Sequence, residues 1–259
     1  AISQSLLSKG ATVTVVGRSL KDAPHASRTF VQADLSSLAS ARSVARELAA
    51  ESFDAVLMTH GIIAAPIRED TPEGLEKDLA TSAMSRWVLV REMGLGLSNV
   101  RQSSGRKPRL FVWGFPGGDR AMDLSDVESK RNYTWKTAHS NTVVFNETLV
   151  KDAAARFPGI NVFGMNPGII KSDIMTGVLG QSSWKLRVQR TLVGLLFQSA
   201  ETYAEKVVPL VVHPSLEGRT GALFNRHAQP IQPNPWLLAD KNFAGVVAAA
   251  EGLSLRVLA

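Results

Sequence analysis

The stretch NYTWKTAHSN, residues 132–141, sets a phenol and an ammonium three residues apart, at Tyr133 and Lys136, where a helical segment gets under way. A tyrosine exchanges protons at neutral pH only if its pKa, ordinarily ~10, is lowered, and a nearby ammonium does this by stabilising the phenolate. Residues three apart on a helix share a face, so the four-carbon stem of Lys136 could reach Tyr133. The only other tyrosine, Tyr203, belongs to a later helical segment, ETYAEKVVPL, which leaves Tyr133 as the phenolic candidate. A half-buried aromatic at a helix start is the plain structural alternative.

The elements that must position such a pair follow from periodicity. ATVTVVG, TFVQADL, FDAVLMTHG, PRLFVWG, GINVFGMNPG and RTGALFN are short apolar runs of strand type. Between them the spacing predicts helices over AISQSLLSKG, over about Ser36 to Ala50, over RNYTWKTAHSNTVVFNETLVKDAAARF, and over SAETYAEKVVPLVVHP. A further long helix is expected over TPEGLEKDLATSAMSRWVLVREMGLGL, with Thr71 as cap and Pro72 at its first position. This alternation predicts an α/β, Rossmann-like, doubly wound parallel sheet in three αβα layers, with ligands beyond the carboxyl ends of the strands. A single domain over 1–259 is expected, with QPIQPNP an ordered surface loop.

Composition narrows the functions. The chain has 259 residues, a net charge of +6 and no cysteine, so disulfides, thiolate catalysis and cysteine-ligated metals are excluded. No window reads as a transmembrane helix, and a cytoplasmic location is the default expectation. The densest basic run, RQSSGRKPR, has no interleaved aromatic residues for base stacking, so a solvated loop and no nucleic-acid partner are expected. His60 has no second ligand at helical spacing, and no metal is expected.

Read at the strand ends, the order VVGRS, ADLSS, THGI, a long helix, a Tyr-bearing helix and NPGIIKSDI resembles the short-chain dehydrogenase/reductase superfamily over nearly the whole chain. The resemblance implies an NADP(H) cofactor. Arg18, with Ser19 beside it, would hold the 2′-phosphate, a group that an acidic residue there would repel. Asp34 and Leu35 fall where the family holds the adenine, His60 and Gly61 beside the ribose, and Pro167, Gly168 and Ser172 at the nicotinamide carboxamide. Tyr133 would be the acid/base, Lys136 its electrostatic partner and Ser82 a relay in place of the family's asparagine. Two departures stand out: Gly114, Phe115 or Pro116 occupies the place of the family's serine, and the family's lysine position, four residues after the tyrosine, is Thr137.

The family's glycine-rich turn and first strand would precede Ala1. The expectation is therefore an N-terminally truncated sheet, with bare edges on the strands near Val13 and Val56. A substrate lid is expected around 173–199, where Trp184, Val188, Leu192 and Leu195 share a helical face suited to a hydrophobic small molecule of specialised metabolism. Its basic and aromatic residues would also allow peripheral membrane contact, and the helices near Glu76 and Asn141 are the faces by which family members commonly form homodimers. A redox-inactive relative, acting as a binding protein or as an isomerase or cyclase, is the alternative that the altered positions favour.

Overall fold

Residues 1–20, 22–48, 53–99, 105–168, 170 and 199–259 are described by the computed structural model. Strands β1 (Val13–Gly17) and β2 (Arg28–Gln32) pair in parallel, and β3 (Ala55–Met58), β4 (Arg109–Val112), β5 (Asn161–Met165) and β6 (Leu223–Phe224) form a second parallel ladder in that order. No ladder bond joins β1 to β3, so the two bare edges expected from the sequence are present among the described residues. Burial follows pairing: every residue of β4 and β5 is buried, whereas β1 is half-buried along its whole length. The register aligns Gly17 with Gln32, and Met58 with Val112 and Gly164, so the carboxyl ends lie along one rim within each ladder.

Helices cover the sheet as the alternation predicts. α1 (Ile2–Leu7) packs against β1 and against α6 (Ala200–Val212), and α2 (Leu38–Glu47) packs on α4 (Ser85–Asn99). The lead-in to the long helix differs from expectation. Thr71 does not cap it: the Gly74 N–H donates to the Thr71 carbonyl at 2.8 Å, and Gly74 has φ 74°, so 71–75 is a tight turn. The cap is Glu76, whose side chain accepts from the Leu79 N–H at 2.7 Å, and α3 (Lys77–Leu79) follows. Glu73 instead accepts from Ser37 Oγ, the Leu38 N–H and the Ala39 N–H, fastening the N-terminus of α2 with a charge that suits the helix dipole. Between α3 and α4 the chain makes a π-helical turn, Ala80–Met84.

Three further differences bear on function. The helix expected to begin near Tyr133 is α5 (Trp135–Arg156), capped by Thr134, so Tyr133 precedes the helix and does not share its face with Lys136. The Pro-rich stretch expected to be loop supplies β7 (Pro230–Ile231), which pairs antiparallel with β6 at the sheet edge, where a residue lacking an N–H is tolerated. Arg109, the last of the basic run, is not in a solvated loop but buried in β4, donating to the Val211 carbonyl at 2.7 Å.

A last helix, α7 (Asp240–Leu258), packs on α5 and α2 through Val246, Ala250 and Leu253. Ion pairs rivet it in place: Arg91 to Glu251 at 2.6 Å, and both terminal nitrogens of Arg256 to Glu128 at 2.8 Å. Glu76 and Asn141, which marked the expected dimer faces, are both buried in the protomer. No helix among the described residues is long and apolar enough to cross a membrane.

Candidate functional site

The segment leaving β3, residues 59–65, meets the π-helical turn and the first turns of α5, and three buried polar groups hold the junction. Asp78 is 0% exposed and accepts three hydrogen bonds: from Ser82 Oγ at 2.5 Å, from the Ala64 N–H at 3.0 Å and from His139 Nδ1 at 2.8 Å. Ser82 in turn accepts from the Ile62 N–H at 2.9 Å. Ser82 sits within the π-turn, and such turns often accompany functional sites.

One turn further on, Arg86 is 2% exposed and gathers the strand ends. It donates to the His60 carbonyl, to the Trp113 carbonyl at 2.8 Å and to Asn146 Oδ1 at 3.0 Å. Burial pulls its pKa down to about 9, opposed by the attraction of Asp78, so it carries its charge at neutral pH. Asn146 completes the bridge from α5, donating to the carbonyls of Ser82 and Thr142 at 2.8 Å each.

The residues expected at the cofactor are spread along the rim. Arg18 and Ser19 follow β1 directly and are exposed, and Arg18 forms no ion pair among the described residues. Asp34 is exposed, and a hydrogen bond from the Ser36 N–H leads in holding its carboxyl below the usual range; Leu35 is buried in the core. Gly61 leaves room, though the room is filled from within: a Cβ there would fall 3.2 Å from both Ser82 Oγ and Arg86. Pro167 and Gly168 form a turn in which Asn166 Oδ1 accepts from the Gly168 N–H at 3.0 Å and Gly168 takes φ 65°. Ser172 and the expected lid, apart from Ser199, which caps α6, lie outside the described residues. The membrane contact expected of that lid lies outside them too.

His60 is not poised for proton transfer. Burial, followed by the charge of Arg86, holds its ring well below 6.5, and its Nε2 lies 3.0 Å from Ser85 Oγ. Below the unfolded-state value, about 6.5, the unfolded chain binds a proton that the folded chain refuses, so stability is lost as pH falls through that value. His60→Gln is expected to flatten this acid slope, and urea midpoints at pH 7 and pH 5 check it. An undiminished slope in the variant would contradict the assignment.

The set read from Tyr133, Lys136 and Ser82 comes apart in space. Ser82 is inside the polar junction, and Tyr133 lies at its rim, donating to the Ala65 carbonyl at 2.8 Å. Burial, reinforced by Glu76 and Asp78, pushes the phenol up to about 12, the reverse of what a lysine partner would do. Lys136 is exposed and stands 5.7 Å from the ring centroid of its neighbour Trp135. Tyr203 is a core residue that accepts from Trp113 Nε1 at 2.9 Å. At the exit of β4 no hydroxyl faces the junction: Gly114 lies against Asn146, and Phe115 adopts φ 56°.

Asp78, Arg86, Asn146 and His139 complete the junction without having been singled out by motif. A signal for the first two exists in the sequence: Asp78, Ser82 and Arg86 recur every four residues, as one polar row along the stretch DLATSAMSRWVLV.

No family model matches the chain. It is 36% identical to an uncharacterized oxidoreductase of Saccharomyces cerevisiae over 244 residues, covering 93% of this chain and 79% of that protein. Polyprenol dehydrogenase of Mus musculus is 25% identical over 211 residues, covering 77% of this chain and 60% of the relative. Among solved structures, the closed form of serine dehydrogenase complexed with NADP+ superposes with a TM-score of 0.61 at 15% identity, over 83% of this chain and 84% of that one, a likeness of fold.

Proposed function

From the premise that this chain belongs to the short-chain dehydrogenase/reductase superfamily, we propose that it is an NADP(H)-dependent oxidoreductase interconverting a carbonyl and an alcohol on a hydrophobic small molecule. The observation that carries this reading is the rim itself. Its exposed guanidinium, Arg18, has no ion-pair partner among the described residues and suits a 2′-phosphate, for which a charged fork gives paired hydrogen bonds. Ser19 and Asp34 flank the adenosine side, His60 and Gly61 the ribose, and Pro167 and Gly168, with Ser172 beyond them in sequence, the nicotinamide. When bound, the reduced nicotinamide supplies the hydride. The chain's own part is to orient the two reactants, keep water out and move the proton.

Within this reading Ser82 organises the junction and Lys136 has no direct part. Tyr133 acts as a fixed donor at the rim, because a phenol pushed up to about 12 and already bonded to Ala65 is a poor proton carrier at neutral pH. Ile67, 81% exposed two residues beyond Ala65, is an apolar contact for substrate at the same edge. The named activity of the mouse relative makes isoprenoid alcohols and aldehydes the first class to try.

The decisive measurement is calorimetric titration with NADPH and NADH. NADPH is expected to bind more tightly, and Arg18→Glu to weaken it roughly 10- to 100-fold, the worth of hydrogen bonds to a charged group, while leaving NADH little changed. Equal affinity of wild type and variant for NADPH would remove Arg18 from the site. The raised phenol and the absence of a hydroxyl at Gly114 favour one second reading, a redox-inactive binding protein. NADPH binding without turnover on any aldehyde or ketone would select it.

A further inference from the structure

The geometry points to His139 as the group that moves the proton in this crevice, held by Asp78 and tied through Ser82 to the strand exit that receives the cofactor. This inference rests on the oxidoreductase reading and names a residue for it. Asp78 is wholly buried and accepts from three donors, so the nitrogen facing it, Nδ1 at 2.8 Å, is the one that carries hydrogen. Nε2 is thereby left as the free nitrogen of a side chain that is 29% exposed, and no partner for it is recorded among the described residues. A buried carboxylate behind an imidazole fixes its tautomer and orients its ring, as a positioned proton carrier needs.

The placement serves the reaction. Asp78 also binds the Ala64 N–H, Ser82 binds the Ile62 N–H, and Tyr133 binds the Ala65 carbonyl, so His139 and the residues following Gly61 share one scaffold. In reduction, bound reduced nicotinamide would supply the hydride to the carbonyl carbon, and His139 Nε2 would give its proton to the carbonyl oxygen. The imidazolium becomes neutral imidazole, keeps Nδ1–H on Asp78, and takes its replacement proton from water at its exposed edge. Oxidation runs the same transfers backwards, with Nε2 accepting the hydroxyl proton.

Two readouts test this on the full chain. The first is labelling with diethyl pyrocarbonate at neutral pH, read by peptide mass spectrometry with and without saturating NADPH. His139 is expected to label, and NADPH to slow that labelling about tenfold, while exposed His25 and His213 label equally in both arms. The second compares wild type with His139→Gln for NADPH affinity and for turnover of farnesal and cyclohexanone. Affinity is expected within about twofold of wild type and kcat down roughly 100-fold or more, the usual range for loss of a general acid. Labelling indifferent to NADPH, or unchanged turnover in His139→Gln, would overturn the role of His139 alone. Failure of wild type to bind NADPH would overturn the oxidoreductase reading and this inference with it.

Discussion

Arg86→Ala is expected to lower the free energy of unfolding by about 3–5 kcal/mol, the range found when one member of a buried, hydrogen-bonded charged network is removed. Three acceptors, the carbonyls of His60 and Trp113 and Asn146 Oδ1, lose their donor together, and the methylene stem leaves a cavity between β3, β4 and α5. Asp78 also loses the nearby charge that offsets its burial. In a domain of this size the loss corresponds to a fall in Tm on the order of 10 °C, readable by circular dichroism. Arg86→Lys should recover less than half, because an ammonium cannot fork among three separated acceptors. A Tm within a degree or two of wild type for Arg86→Ala would show that the guanidinium does not tie the strand ends.

Gly114→Ser carries the second large effect. The substitution would restore a hydroxyl to a turn where the superfamily uses one, and the site has no space for it. A Cβ at Gly114 falls 2.2 Å from Asn146 Cβ, far inside contact distance, and Asn146 is 3% exposed with its amide bonded to Ser82 and Thr142 and accepting from Arg86. Overpacking together with displaced hydrogen bonds is expected to cost about 2–4 kcal/mol. Pairing it with Asn146→Ala should relieve part of the clash, so the double variant is less destabilised than the sum of the singles, as a double-mutant cycle by urea unfolding would show. Strict additivity would mean that Gly114 and Asn146 do not compete for the same space.

Much of the scaffold was legible because its signals are local. Short β-branched runs bounded by turn residues located all the parallel strands among the described residues, and the bare edges near Val13 and Val56 followed from the family resemblance, which places a strand between them. Helix starts were less legible where two capping signals competed. Thr71 and Pro72 read as a helix opening, but Gly74 in the left-handed region closes a turn first, and Glu76 takes the capping role. α7 follows the last strand expected from the sequence, although Val246, Ala250 and Leu253 carry its helical spacing.

The candidate site shows the same division. Rim residues such as Arg18, Gly61 and Gly168 could be found because strand ends locate them. Tyr133 and Lys136 attracted attention by their spacing, yet spacing implies a shared face only inside a helix, and Thr134 starts the helix one residue too late for that.

By itself the sequence determined the alternation of strands and helices, and with it the rim formed by the strands' carboxyl ends, since hydrophobic period and turn chemistry act over a few residues. Only the tertiary structure decided which polar groups meet there. The contact between Asp78 and His139 joins residues 61 positions apart, and that between Arg86 and Asn146 joins residues 60 apart. Such pairs form because a buried carboxylate or guanidinium must find partners wherever packing brings them, a requirement satisfied in space and leaving little trace in the chain.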